Sequence, residues 1–289
     1  MNSGKQAPGV PKTGYRRRKQ MWDPSFLVGM ILVAGMTVLA AIGPWIGGHS
    51  PVNPSGPAMQ PPSGTHWFGT DNIGLDIFSR VIAAPRVDLT IAFGAALGAL
   101  VIGAPLGAIS GYGKSRWSET IIRISDLIHS FPVFILAMAV IVITGPQISS
   151  LILVIAFVNA PIYVRLMRAE VLSVRDKTYI EAAVAFGERT PRIMVRHVLP
   201  NSVSSVIAQL SVTVGISMLL TAGLSFIGAG LRAPTPEWGL MIASGAGNIM
   251  LGAWWPTIFP GIALSLSVLG FSLLGESVPR IIDPLRGKS

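Results

Sequence analysis

The chain has 289 residues, of which 51% are hydrophobic and only 12% are charged, about half the charged fraction of an ordinary soluble domain. It contains no cysteine, which excludes disulfides and thiolate metal sites. The net charge of +9 does not indicate nucleic-acid binding, because the basic residues gather at the ends of apolar runs and form no continuous polar face. The composition therefore predicts a membrane protein lying in a lipid bilayer.

Six apolar segments follow one another along the chain. After a polar tail at 1–25, the first segment, 26–47, would form a helix about 33 Å long, enough to cross a hydrocarbon core of about 30 Å. A proline-rich loop over 48–87 separates it from a core at 88–276, and a tail at 277–289 ends the chain. We predict an all-α fold whose other five spans lie at about 88–111, 121–145, 149–167, 203–229 and 254–274.

Six spans place both termini on one side, and the basic residues identify that side. Of the 22 Lys and Arg, all but Arg80, Arg86 and Arg232 lie in the tails or in the loops on the side of the termini. Positive charge is retained in the cytoplasm. Both termini and the loop 168–201 are therefore predicted to be cytoplasmic, and the loop 48–87 to be extracytoplasmic.

Few polar groups lie within the spans. No charged residue lies at the centre of any span, which weighs against a proton-coupled or sodium-coupled carrier. Asn159, Ser217 and Thr221 are candidate pore-lining residues, although hydrogen bonds between helices would explain them equally well.

The second span carries glycines four residues apart, a spacing that lets two helices approach closely in lipid. These glycines are Gly94, Gly98, Gly103, Gly107 and Gly111. A tight helix interface and the ordinary glycine enrichment of membrane helices are equally good interpretations at this point.

The loop 168–201 has the pattern of two short helices joined by a glycine. Residues 177–186 suit an amphipathic helix ended by Gly187, whose missing Cβ permits a left-handed turn. Pro191 fits the first turn of a second short helix, and Leu199 with Pro200 is predicted to stop that helix before the fifth span. Such a hairpin beneath the membrane is a rigid lever suited to docking into a groove on another protein.

This loop resembles the EAA motif of ABC importer permeases. The resemblance rests on Glu181, Ala182, Ala183, Gly187, Leu199 and Pro200. In that family the motif forms the coupling helix that seats in an ATPase subunit, so the resemblance implies the same role for these residues. His197 stands where the general motif favours isoleucine.

Two further stretches narrow the resemblance to the second permease of dipeptide, oligopeptide and nickel importers. They comprise the outer-loop residues His66, Trp67, Phe68, Gly69, Thr70, Asp71, Gly74, Asp76, Ser79, Arg80 and Arg86, and the residues 223–228 after the fifth span. The tail residues 282–284 also fit. The sequence departs from the usual pattern at Leu75, Ala84 and Asp88, where arginine, glycine and serine are expected.

The resemblance implies a type I ABC importer transmembrane domain in the bacterial inner membrane. Its expected substrates are di- or oligopeptides, with nickel or another small solute as the alternative. The expected partners are a homologous permease, two cytoplasmic ATPase subunits and an extracytoplasmic binding protein. ATP and Mg are expected on the ATPase subunits, with no cofactor on this chain.

Other functions have weaker support in the sequence. Residues 108–115 match a loose phosphate-loop pattern, but no strand precedes them. Ser225 and His129 are the only candidate nucleophile and base for an intramembrane hydrolase, and we predict no catalytic residue. The four histidines are scattered, so we predict no metal site. A stand-alone secondary carrier fits the composition but leaves the coupling motif unexplained.

Overall fold

The computed structural model of the chain describes residues 24–113, 116–175 and 177–282, with the side chains of 203–204 and 279–282 excepted. Within these ranges the fold is helical and contains no strand. Most of both predicted tails, 1–25 and 277–289, lies outside the described residues, as do Lys114, Ser115, Asp283 and Pro284. The longer helices are α1 (Pro24–Ile46), α2 (Ile77–Tyr112), α3 (Arg116–Ser130), α4 (Val133–Thr144), α5 (Ile148–Arg175), α8 (Leu199–Phe226) and α10 (Trp255–Ile282). The shorter ones are α6 (Thr178–Ala185), α7 (Thr190–Ile193) and α9 (Trp238–Ala246), with a π-helical turn at Met194–Val198 and a 3₁₀ turn at Ile249–Leu251.

Five of these helices, α1, α2, α5, α8 and α10, are long and apolar enough to cross a bilayer, and α3 with α4 would make a sixth if the bent pair forms one span. At 1.5 Å per residue, α2 is about 54 Å long and α5 about 42 Å, well beyond a hydrocarbon core of about 30 Å. Both helices therefore extend out of the bilayer and reach the loops at its surface.

The glycines of α2 form a close interface with α5, which decides between the two interpretations of their spacing. A Cβ built at Gly103 would overlap the carbonyl oxygen of Ala160, and one at Gly107 would overlap that of Val164. Only glycine permits the two backbones to approach this closely. Such close packing stabilises the helix pair through dispersion forces, because the hydrophobic effect does not drive helices together within lipid. The α2–α5 pair is thus the rigid centre of the fold.

The third span, predicted as one helix over 121–145, is instead two helices that meet at 92°. Helix α3 ends at Ser130 and α4 begins at Val133, with Pro132 between them. Proline has no N–H and disfavours a helical conformation at the residue before it, and here the helix is interrupted at Pro132. Helix α4 has 12 residues and is about 18 Å long, too short to cross the bilayer alone.

Several other helices begin or end at residues that differ from the prediction. Helix α2 begins at Ile77, inside the predicted loop 48–87, because Asp76 caps it by accepting a hydrogen bond from the Ser79 N–H at 2.8 Å. Helix α5 passes through Pro161 and ends at Arg175, where the prediction ended it at 167. Helices α8 and α10 differ from 203–229 and 254–274 at both ends, and α9 was not predicted.

The outer loop between α1 and α2 is irregular but well packed. Thr70, Asp76, Ser79 and Arg80 are all buried. The Arg80 guanidinium donates to the carbonyl oxygens of Pro51 and Pro234 at 3.1 and 3.0 Å, so it joins this loop to the segment after α8. The Trp255 indole N–H donates to the Thr70 carbonyl at 3.1 Å, so the loop is also joined to the start of α10.

Candidate coupling site

The predicted lever is a helical hairpin whose turn lies at Gly187. Helix α6 ends at Ala185, and Gly187 has φ of +78°, in the left-handed region. The Glu188 N–H donates to the Ala183 carbonyl at 3.0 Å and the Gly187 N–H to the Val184 carbonyl at 2.9 Å, the two bonds of a Schellman cap. Because no atom outside its neighbours lies within 4 Å of a Cβ built at Gly187, glycine is required here by backbone conformation and not by space.

The second arm of the hairpin runs without a break into the fifth span. Helix α7 passes into the π-helical turn and then into α8, which begins at Leu199 with Pro200 in its first turn. The prediction that Leu199 and Pro200 end a helix is therefore wrong, because proline is compatible with the first turn, where no intrahelical N–H donor is needed.

The inner face of the hairpin is fixed to the transmembrane helices by a small apolar cluster, termed here the anchor cluster. It consists of Val171, Val174, Ile180, Ile193 and Val198, all of them buried. Ala108 and Tyr112, near the end of α2, pack against it. Full burial of a valine or isoleucine stabilises by about 1.5–3 kcal/mol. The hairpin is therefore held as one body with the C-terminal ends of α2 and α5 and the start of α8.

The outer face of the hairpin exposes apolar side chains that nothing in the described chain covers. Phe186 is 91% exposed, Val195 65% and Val184 52%. Of the coupling residues named from the sequence, Glu181, Ala182 and Gly187 are exposed, and Ala183 is half-buried. A projecting phenylalanine at the tip of a rigid hairpin is suited to insertion into a pocket of a partner protein.

Glu188, which was not singled out from the sequence, ties the turn of the hairpin to its second arm. Its carboxylate lies 3.1 Å from Arg192 Nε, 3.3 Å from His197 Nε2 and 3.9 Å from Arg196 Nη1. It follows the turn glycine directly, so its side chain reaches the face of α7 and the π-helical turn. The sequence does contain a signal for these contacts. Glu188 directly follows Gly187, four residues before Arg192 and nine before His197.

The candidate pore residues lie between α5 and α8. The Asn159 amide nitrogen donates to Ser217 Oγ at 3.2 Å, and the Thr221 hydroxyl donates to the Ser217 carbonyl at 2.9 Å. All three side chains are buried. The Asn159–Ser217 bond joins α5 to α8, the Thr221 bond lies within α8, and the role of the three residues in lining a pore stays a prediction.

The three departures from the family pattern are all buried near the outer end of α2. The Asp88 carboxylate accepts a hydrogen bond from the Trp238 N–H at 3.3 Å. Leu75 and Ala84 are 1% and 0% exposed. Asp88 therefore joins α2 to the start of α9 at a position where serine is usual.

The rival sites are not assembled in the described residues. Ser225 lies beside Gly230 and Glu237, near the outer end of α8, whereas His129 lies near Asp126 and Arg165. The phosphate-loop match begins inside α2, a helix, where a strand would be required, and its Lys114 and Ser115 fall outside the described residues.

Comparison with known proteins supports the motif-based resemblance over almost the whole chain. Residues 103–288 match the family described as binding-protein-dependent transport system inner membrane component. The chain is 40% identical to the dipeptide transport system permease protein DppC of Alkalihalophilus pseudofirmus, over 89% of this chain and 85% of that protein. It is 36% identical to the probable D,D-dipeptide transport system permease protein DdpC of Escherichia coli, over 96% and 94%.

A third relative, the glutathione transport system permease protein GsiD of Pectobacterium atrosepticum, is 37% identical over 77% of this chain and 74% of its own length. Among solved structures, a chain of the inward-facing MetNI methionine ABC transporter aligns with a TM-score of 0.59 at 19% identity, covering 70% of this chain and 96% of that one. The structural likeness confirms the predicted transmembrane fold of an ABC importer.

Proposed function

Because the chain belongs to the family of binding-protein-dependent transport system inner membrane components, we propose that it is the permease subunit of an ATP-driven importer of di- or oligopeptides. The peptide class is supported by the relatives named for dipeptides, D,D-dipeptides and glutathione. Nickel or another small solute remains the alternative within the same family.

The observation that carries the proposal is the hairpin closed at Gly187, with an exposed tip and an anchored base. The tip presents Phe186, and the base is held by the anchor cluster. A displacement of the tip by a partner is passed to α5 and α8 together, because the hairpin is packed on the first and continuous with the second. This is the arrangement that a coupling element needs.

The partners follow from this mechanism. Two ATPase subunits, carrying ATP and Mg, dock on the hairpins of this chain and of a homologous permease. A binding protein delivers the substrate from the other side of the inner membrane. ATP and substrate drive the cycle only if each binds the inward-facing and outward-facing states with different affinity. Both termini lie in the cytoplasm, as the distribution of basic residues favours.

Site-specific crosslinking tests this arrangement directly, since the chain has no cysteine of its own. A Phe186→Cys variant, expressed with its operon partners, should crosslink to an ATPase subunit through a short bifunctional maleimide. Met250→Cys is the matched control, because Met250 is 95% exposed on a loop between α9 and α10, at the opposite side in the proposed topology.

Mass spectrometry of the crosslinked bands identifies the partners. An ATPase attached to position 186 and none at position 250 is the expected result. Crosslinking to the ATPase from position 250, or only to extracytoplasmic proteins from position 186, would overturn the proposed coupling site and its orientation.

A further inference from the structure

The outer loop brings together two histidines and an aspartate that lie far apart in the sequence. His49 follows the end of α1, His66 lies in the middle of the loop, and Asp76 caps α2. We propose that these three side chains bind one divalent first-row transition-metal ion, with Zn²⁺ as the reference ion. The expectation of no metal site came from sequence spacing, which separates His49 from His66 by 17 positions and could not reveal their proximity.

The separations of the three ligand atoms are close to those of a zinc site. One ligand atom from each residue lies within 4.8 Å of the others. Tetrahedral zinc, with bonds of about 2.0–2.2 Å, places its ligands about 3.4 Å apart. The His66 Nδ1 and Asp76 Oδ1 atoms are already 2.8 Å apart, so a rotation of the half-buried His49 side chain would complete the site.

Two of the three ligands are held in place before any ion binds. The second carboxylate oxygen of Asp76 accepts hydrogen bonds from the Ser79 N–H and hydroxyl at 2.8 and 2.7 Å, which leaves Oδ1 directed at His66. The buried His66 ring abuts Gly56, where an added Cβ would lie 2.7 Å from Nε2. Such outer hydrogen bonds and packing orient metal ligands and strengthen binding.

A cavity next to the three residues gives an ion both access and room for water ligands. It has a volume of about 200 Å³ and is lined by His49 and Asp76 together with Thr65, Trp67 and Phe78. Neutral imidazole and carboxylate are ligands that suit zinc, copper and nickel, whereas Mg²⁺ and Ca²⁺ prefer oxygen alone. A bound ion would join the end of α1 to the start of α2 through side chains that are otherwise connected by a ring contact between the histidines and a hydrogen bond between His66 and Asp76.

Isothermal titration calorimetry of the full-length chain tests the site. The chain would be purified in mild detergent through a histidine-free tag, stripped with a chelator and titrated with ZnCl₂ near neutral pH. We expect one Zn²⁺ per chain, and binding at least about tenfold weaker in His49→Ala, which removes one ligand. His129→Ala is the control and should bind like the wild type, since His129 lies on α3, beside Arg165.

Thermal unfolding gives a second reading that does not depend on the titration heat. Zn²⁺ should raise the unfolding temperature of the wild type and of His129→Ala, and should leave that of His49→Ala unchanged. The unfolding temperature without metal shows whether His49→Ala is folded. Absence of stoichiometric Zn²⁺ binding by the wild type, or equal affinity in a folded His49→Ala chain, would overturn the proposal.

Discussion

Single glycines on α2 set how closely the two central helices approach. A Cβ at Gly103 or Gly107 would meet backbone carbonyls of α5, which cannot move aside as a flexible side chain could. We expect Gly103→Ala and Gly107→Ala each to destabilise the fold by about 1–3 kcal/mol, the usual cost of overpacking. The measurement is the thermal unfolding temperature of the purified chain in detergent.

Gly261→Ala on α10 is the matched control for this test. No neighbouring atom lies within 4 Å of a Cβ built at Gly261, so this change should be neutral or stabilise by up to about 1 kcal/mol through helix propensity. Equal unfolding temperatures for Gly103→Ala and Gly261→Ala would show that the α2–α5 approach is looser than described.

At Gly187, glycine is required by the backbone conformation, whereas there is room for a larger side chain. Its φ of +78° costs a β-branched residue roughly 1–2 kcal/mol, while asparagine tolerates this region. We expect Gly187→Val to abolish peptide uptake by cells and Gly187→Asn to retain most of it. Ligand binding by the binding protein should be normal in both strains. Uptake at the wild-type rate in Gly187→Val would refute the lever.

The ionisation of Glu237 is expected to make the stability of the folded chain depend on pH. Burial raises the pKa of its carboxyl group, although the N–H groups of Gly239 and Leu240 donate to it at 2.7 Å each. Because the folded state holds the proton more tightly than the unfolded chain, the stabilisation is fully present below the unfolded pKa of about 4.3. It is lost as pH rises through the higher folded pKa.

The unfolding temperature of the wild type should therefore fall as pH increases above about 4.3, through the contribution of this group. Glu237→Gln, which cannot ionise, should show a flatter profile over the same range. If the two profiles have the same slope, Glu237 does not carry the pH dependence.

At the scale of an element, the hairpin is made rigid by Glu188 as well as by its buried base. The contacts with Arg192 and His197 hold the turn of the hairpin against its second arm. Because Arg192 is largely exposed, we expect Glu188→Ala to cost less than about 1 kcal/mol of stability. Transport should nevertheless fall several-fold while ATP hydrolysis by the assembled complex continues, since force reaches α8 through this joint.

Glu119→Ala is the control, because Glu119 pairs with Arg123 at the same four-residue spacing on the exposed face of α3. It should change neither transport nor ATP hydrolysis. A parallel loss of both activities in Glu188→Ala would indicate failed assembly, not failed coupling.

The helices show which features of an element a sequence reveals. The sequence reveals the long apolar segments of α1, α2, α5, α8 and α10, because a helix that crosses a bilayer needs about 20 apolar residues. Two prolines had opposite outcomes: helix α5 continues through Pro161, whereas the chain turns by 92° at Pro132. Composition alone does not distinguish these cases, because the surrounding helices decide whether a broken hydrogen-bond ladder is tolerated.

The candidate sites divide in the same way. Gly187 could be identified because a helix end that needs a left-handed residue has a local signature. Glu188 also had a local signature, since it lies four residues before Arg192 and nine before His197. The Asp88–Trp238 contact and the three outer-loop ligands did not, because each depends on residues brought together by tertiary packing. His49 and Asp76 lie close together because the end of α1 lies beside the start of α2.

At the scale of the whole molecule, the proposed function makes the chain a passive element that is driven by its partner ATPases. Its described residues offer an anchored hairpin with an exposed tip, a close helix pair and no assembled catalytic or nucleotide site. A stand-alone carrier of the same composition would need no partner, so dependence on ATP hydrolysis separates the two.

Uptake of a radiolabelled dipeptide by proteoliposomes holding the complete complex is the most direct measurement of that dependence. The comparison is between wild-type ATPase subunits and subunits whose catalytic glutamate is replaced, with the binding protein present in both. Uptake that requires ATP and disappears with the inactive ATPase is the predicted result. Continued uptake with the inactive ATPase would contradict it and would identify the chain as a self-sufficient carrier.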